Sequence, residues 1–266
     1  MTKNNYLSAM FKEYLTLSAL LIFCMMSFLF LVASMKKDNS IIDIFWGIGF
    51  ILICFSGMLA DQVFTAKHIL LNSLIVIWGL RLSIHIWLRN RGKGEDFRYR
   101  NWRENWTFFY FRSYLQIFML QGFLMLIIAT PVILVNSSPD GSLGLLEIVG
   151  AIILLTGLLF ESLGDYQLAK FRQNPDNKGV LMTTGLWQYT RHPNYFGEAV
   201  VWTGVWLMAI PEVDGLFTIV SPLLMYVLLR YVSGVPMLEK KFQGRPDWEA
   251  YAANVPPFFP RFRNKI

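Results

Sequence analysis

The sequence predicts an all-α polytopic membrane protein with seven transmembrane helices, its N-terminus outside and its C-terminus in the cytoplasm. Three observations carry this. Of 266 residues, 55% are hydrophobic and only 16% charged, whereas a soluble domain carries about 25% charged residues. Apolar stretches long enough to cross a roughly 30 Å hydrocarbon core recur along the whole chain. The basic residues fall overwhelmingly on alternate connections.

The first stretch, Leu15–Ala33, is followed by "SMKKDNS" with no small-residue cleavage pattern, so it reads as a span and not as a signal peptide. Ile41–Leu59 and Ile69–Leu88 follow. The fourth, Phe108–Val135, is long and holds Pro131 near its end; Leu143–Leu163 is the fifth. Tyr195–Ile210 is short, and Leu216–Val232 completes the seven. With this threading one side receives Lys36, Lys37, Arg89, Arg91, Lys93, Arg98, Arg100, Arg103, Lys170, Arg172, Lys178, Arg191, Lys240, Lys241, Arg245, Arg261, Arg263 and Lys265. The other receives only Lys3, Lys12 and Lys67. Positive charge marks the cytoplasmic side, and an even number of spans would scramble the asymmetry. The asymmetry therefore puts the C-terminus in the cytoplasm and the N-terminus outside. Cys24 and Cys54 both lie within spans and read as small apolar residues, with no disulfide framework or metal cluster available to them.

The two outer connections "NSSPDGS" and "PEVDG" look like simple links. The substantial loops are cytoplasmic. One domain over 1–266 is expected, its site formed by 89–107, 161–198 and the 233–266 tail. Polar residues inside the spans agree: Asp43, Arg81 and His85, Arg112 and Gln116, Glu161 and Asp165, Glu198 and Arg230 all fall in the inner half. Charge at that depth is expensive unless paired or facing a polar cavity, so the economical reading is one cavity open to the cytoplasm. Basic residues beside carboxylates and tyrosines suit an anionic cofactor whose phosphates need arginines and whose ribose hydroxyls need acceptors. No G-x-G-x-x-G turn is present; "RGKGEDF" lacks the spacing and a preceding strand. A nucleotide would have to bind among helix ends and loops. The segment "TRHPNYFGE" is suited to this, with Pro193 in a first helical turn, Asn194 capping, Glu198 reaching back and free N–H groups facing the anion.

"TRHPNYFGE" at 190–198, "GLW" at 185–187, "ESLGDYQLAKFR" at 161–172 and "WGLRLSIHIWLRNRGKGEDFRYR" at 78–100 together resemble steroid 5-alpha-reductases and their bacterial relatives over nearly the whole chain. The resemblance implies NADPH and hydride delivery to the beta carbon of an alpha,beta-unsaturated ketone, such as a 3-oxo-4-ene steroid, entering from the bilayer. Asp165 and Arg172 resemble dinucleotide-holding residues, as do Tyr189, Asn194 and Glu198, and Arg91 or Lys93 in the loop after span three. With Arg98, Glu161, Arg191, His192 and Tyr195 these form the expected cofactor set. The family polarises the ketone with a glutamine–glutamate pair on span two and a tyrosine on span three; here span two offers Asp43 and Trp46, and span three Trp78. The residues expected to meet the enolate oxygen are His85 or Arg81, with Asp43 orienting them. Isoprenylcysteine and phospholipid methyltransferases, which use S-adenosylmethionine, share the "RHPxYxG" core and a tail like "VPPFFP", but their adjacent glutamates are replaced here by "LEKKF". Membrane lipids are expected partners; no nucleic acid and no obligate protein partner is.

Overall fold

The computed structural model describes residues 3–60 and 65–262, and every regular element among them is helical. In chain order these are α1 (Lys3–Lys36), α2 (Ile41–Ala60), α3 (Ala66–Asn90), α4 (Phe97–Asn105), α5 (Phe109–Ser113), α6 (Leu120–Ile128), α7 (Thr130–Asn136), α8 (Leu145–Gln173), α9 (Pro193–Ala209), α10 (Val220–Val227), α11 (Val235–Glu239) and α12 (Pro246–Asn254). π-helical turns, Tyr114–Met119 and Leu228–Val232, join α5 to α6 and follow α10. Arg263 and Lys265, counted above with the inner charges, lie outside the described residues.

Five segments are long and apolar enough to cross a membrane: Ser8–Lys36, Ala66–Asn90, Phe109–Ile128, Leu145–Gln173 and Gly215–Phe242. These mark an integral membrane protein. Of the remaining two expected spans, Ile41–Gly57 is a shorter apolar helix; the other falls on α9, which has 17 residues and so reaches roughly 26 Å. The expected fourth span divides for a local reason. Pro131 has no N–H to give to the preceding turn, so α6 ends at Ile128 and α7 starts afresh at Thr130.

The chain forms two compact units: Met1–Glu147 with Met208–Thr218, and Ile148–Leu207 with Ile219–Ile266. In the first, α2 and α3 touch backbone to backbone. A Cβ on Gly47 would stand 2.2 Å from the Gly79 carbonyl oxygen, and one on Gly79 would stand 2.7 Å from that of Gly47. At the far end of α3 is an ion cluster. Lys67, 1% exposed, meets Glu147 at 3.2 Å and Glu212 at 2.6 Å. Glu147 also accepts from the Gly144 N–H at 3.0 Å. "PEVDG" is thus more than a link: its Glu212 neutralises a buried lysine.

In the second unit, α8 and α9 run antiparallel along a seam of glycines. Gly150, Gly157 and Gly164 recur every seven residues, as do Gly197 and Gly204. A Cβ on Gly157 would stand 2.6 Å from the Gly197 carbonyl oxygen, and one on Gly204 would stand 2.5 Å from that of Gly150. Inside a membrane, helices associate by such close approach, since lipid tails offer no hydrophobic gain. The seam brings the start of α9 against Gly164, next to Asp165.

Candidate functional site

In the first unit, Asp43 opens α2 and gives both carboxylate oxygens to α4. Arg98 donates to one at 2.7 Å and the Tyr99 hydroxyl to the other at 2.5 Å. Arg98 also donates to Asp96 at 2.9 Å, and Gln121 hydrogen-bonds the Tyr99 hydroxyl. Burial, then the nearby Asp43 charge, holds the Tyr99 phenol well above its ordinary pKa, so it stays protonated and donates. Burial works against ionisation of Asp96, but the Arg98 guanidinium outweighs it and keeps the carboxyl below the usual range. Asp43 therefore anchors α4. Arg81 and His85 lie one turn apart on α3, both half-buried. Arg91 and Lys93 are exposed after α3, with the Arg91 guanidinium 5.5 Å from the Trp87 ring centre.

In the second unit the seam juxtaposes two pairs of residues four apart, Glu161 and Asp165 on α8, and Asn194 and Glu198 on α9. Glu161, Asp165 and Glu198 are 2%, 6% and 8% exposed. Asn194 donates through Nδ2 to Asp165 at 3.0 Å, while its buried Oδ1 has no hydrogen-bond partner among the described residues. This differs from the expected cap: α9 begins at Pro193, and the Asn194 amide serves Asp165 instead of the helix backbone. An orphaned buried carbonyl is uncommon in native proteins and calls for a donor.

Arg191 and His192, both in the expected cofactor set, meet a carboxylate of the tail. Arg191 clasps Glu239 with Nε at 2.8 Å and Nη2 at 3.0 Å, and Nη1 donates to the carbonyls of Ala252 and Val255. His192 Nε2 lies 2.9 Å from the same Glu239, and its ring stacks on Tyr195. Burial pushes the His192 pKa down against the pull of Glu239, so the neutral imidazole donates Nε2–H. Backbone bonds continue the clasp, from Arg191 N to Pro256 O and from Arg261 N to Tyr189 O, both 2.9 Å. "RH" is thus the tail's anchor. Arg172 is exposed near the end of α8, and Tyr189 packs against Phe262 with ring centres 4.9 Å apart.

Among the described residues no group of three or more His, Cys, Asp and Glu side chains is placed to hold a metal ion. The sequence reading missed Tyr99, Gln121 and Glu239 as members of polar networks. The glycine heptads were the available signal for the α8–α9 seam.

Fold and site together define a helical integral membrane protein with buried polar clusters at helix ends. Residues 29–255 match the family described as protein of unknown function (DUF1295), and the chain belongs to it. No curated protein and no solved structure matches the chain.

Proposed function

We propose that the protein is an NADPH-dependent membrane reductase that transfers a hydride to the C=C bond of a lipophilic alpha,beta-unsaturated ketone, a 3-oxo-4-ene steroid or similar enone. One observation carries the reading: the Asn194 carbonyl, buried and without a donor, lies beside Asp165 on a rigid glycine seam that also bears Glu161 and Glu198. Buried acceptors of this kind suit ribose hydroxyls and a carboxamide. NADPH, when bound, supplies the hydride. Asp165, Asn194 and Glu198 would hold its hydroxyl and amide groups, with the exposed Arg172 of the same unit meeting a phosphate. Arg191 already gives its guanidinium to Glu239 and two tail carbonyls. On α3, His85 would give a hydrogen bond or proton to the developing oxygen, with Arg81 one turn away. Seven crossings, an outer N-terminus, a cytoplasmic tail and a bacterial inner membrane complete the proposal.

A second reading is favoured by the same acidity. Buried carboxylates also suit the ammonium and ribose of S-adenosylmethionine, which has no phosphate to require arginines. Titration of the purified protein with each cofactor decides between them. Stabilisation by NADPH, together with NADPH oxidation in nanodiscs on addition of an enone, supports the reductase. Stabilisation by S-adenosylmethionine alone gives the methyltransferase. His85→Ala is expected to cut enone turnover about 100-fold with NADPH binding intact; full turnover would remove His85 from the chemistry. Labelling of cysteines placed at Ser142 and Asn254 from opposite sides of the membrane is expected, and same-side labelling would refute the orientation.

A further inference from the structure

The second unit also holds an apolar recess. Thr156 and Phe160 of α8, Phe196 and Val200 of α9, and Phe259 and Phe262 of the tail line a groove of about 320 Å³. It is not an extension of the polar cluster. At about 100° per residue, Asn194 and Glu198 fall within about 40° of each other on α9, while Phe196 lies about 200° from Asn194. The groove therefore opens on the opposite face of α9. Its depth is set by α8: Phe160 immediately precedes Glu161, where the helix turns from apolar to polar, and Thr156 is one turn deeper. The tail residues Phe259 and Phe262 are 61% and 71% exposed, beyond what a water-facing surface tolerates for paired aromatics but ordinary at a membrane interface.

Between two of the lining residues, Pro260 and Phe262, stands Arg261. Its backbone N–H is fixed by the Tyr189 carbonyl at 2.9 Å. Its side chain is exposed, and no ion pair or side-chain hydrogen bond ties it to any described residue. The other arginine of this motif, Arg191, is fully engaged with Glu239. An apolar slot one to two turns long, with an exposed and uncommitted arginine in the tail segment that lines it, matches an amphiphile with an anionic head.

We propose that the groove seats one acyl chain of an anionic membrane phospholipid whose phosphate is held by Arg261. The site is separate from the reductase reading and does not depend on it. A zwitterionic lipid could fill the slot, but its ammonium offsets the charge that Arg261 would meet, so the arginine makes the difference between the two headgroups.

The test is native mass spectrometry of delipidated full-length protein titrated with phosphatidylglycerol or with phosphatidylcholine of the same chains. One phosphatidylglycerol is expected to be retained at about fivefold lower concentration than phosphatidylcholine, the ratio one cation near an anionic headgroup gives. Arg261→Ala should bring the two lipids level, and Arg261→Lys should keep the preference. Val200→Trp, which fills the slot, should reduce retention of both. Equal retention by the unaltered protein, or a preference that survives Arg261→Ala, would overturn the proposal. So would a Val200→Trp protein that still holds its lipid, or a groove occupied by a second copy, seen as a dimer that phosphatidylglycerol does not displace.

Discussion

Lys67 and the side-chain carbonyl of Asn194 are both buried polar groups at helix ends in an apolar protein, and they differ in what they leave over. Around Lys67 every strong group is met: the ammonium by two carboxylates, and Glu147 by a backbone N–H as well. Around Asn194 the amide nitrogen is met by Asp165 and the carbonyl by nothing described. Burial of charge or of an amide is costly unless hydrogen bonds replace water. A closed cluster has recovered that cost from within the fold. An open one has not, and such a residue is where a ligand is expected to complete the set.

The comparison breaks most visibly at Lys67. Lys67→Met would leave Glu147 and Glu212 buried without their cation, and removing one partner of a buried pair destabilises by about 3–5 kcal/mol. Thermal unfolding in detergent should show this as a large loss, and Lys67→Met combined with Glu147→Gln and Glu212→Gln should recover much of it. A single variant as stable as the parent would mean that the cluster is not a staple.

Next in size is the Arg191 clasp. Glu239→Gln keeps the volume but removes the charge that Arg191 and His192 share, and hydrogen bonds to charged groups contribute about 1.5–3 kcal/mol. The expected result is a loss of about that size, with limited proteolysis now cutting within 240–256. Cleavage no faster than in the parent would leave the tail held by its backbone bonds alone.

These clusters also show what could be read from the sequence. The apolar helices were legible because hydropathy is local: each span declares itself within about twenty residues. The π turns were not, since nothing in a single helix's composition marks them. Lys67 looked like one of three stray outer charges, and its partners lie 80 and 145 positions away. Arg191 looked like a phosphate ligand because an arginine beside histidine and asparagine has that chemistry; Glu239, forty-eight residues on, takes it instead. Glu161, Asp165, Asn194 and Glu198 were legible as polar residues at the ends of two apolar spans, where unpaired charge is costly. That they meet depended on the glycine heptads.

A smaller effect should come from pH. The His192 imidazole has its pKa lowered by burial, with Glu239 opposing, so between its folded value and its unfolded value of about 6.5 the unfolded chain binds the proton more readily. Stability from this group is complete above pH 6.5 and declines as pH falls below it. Melting temperatures of the parent and of His192→Gln from pH 8 to 5.5 isolate the contribution, since His68 and His85 are common to both. The parent should lose more on acidification; parallel curves would show that His192 takes no part in it.

The smallest change in stability, and the sharpest use of the comparison, belongs to Asn194→Ala. The substitution deletes the bond to Asp165, a loss of about 1 kcal/mol, but also deletes an unsatisfied carbonyl whose burial costs about 1–3 kcal/mol. The two offset, so the melting temperature without ligand should barely move. Ligand binding should respond differently, because the carbonyl is the acceptor that the ligand would complete. With NADPH at 100 times its Kd, the parent should gain about 2.7 kcal/mol. A tenfold weaker Kd in the variant would cut that gain to about 1.4 kcal/mol, a difference that thermal shift resolves. If Asn194→Ala binds NADPH as the parent does, and S-adenosylmethionine as well, the open carbonyl is a tolerated defect of the seam. Asn194 would then belong with Lys67 among the residues that only hold the helices together.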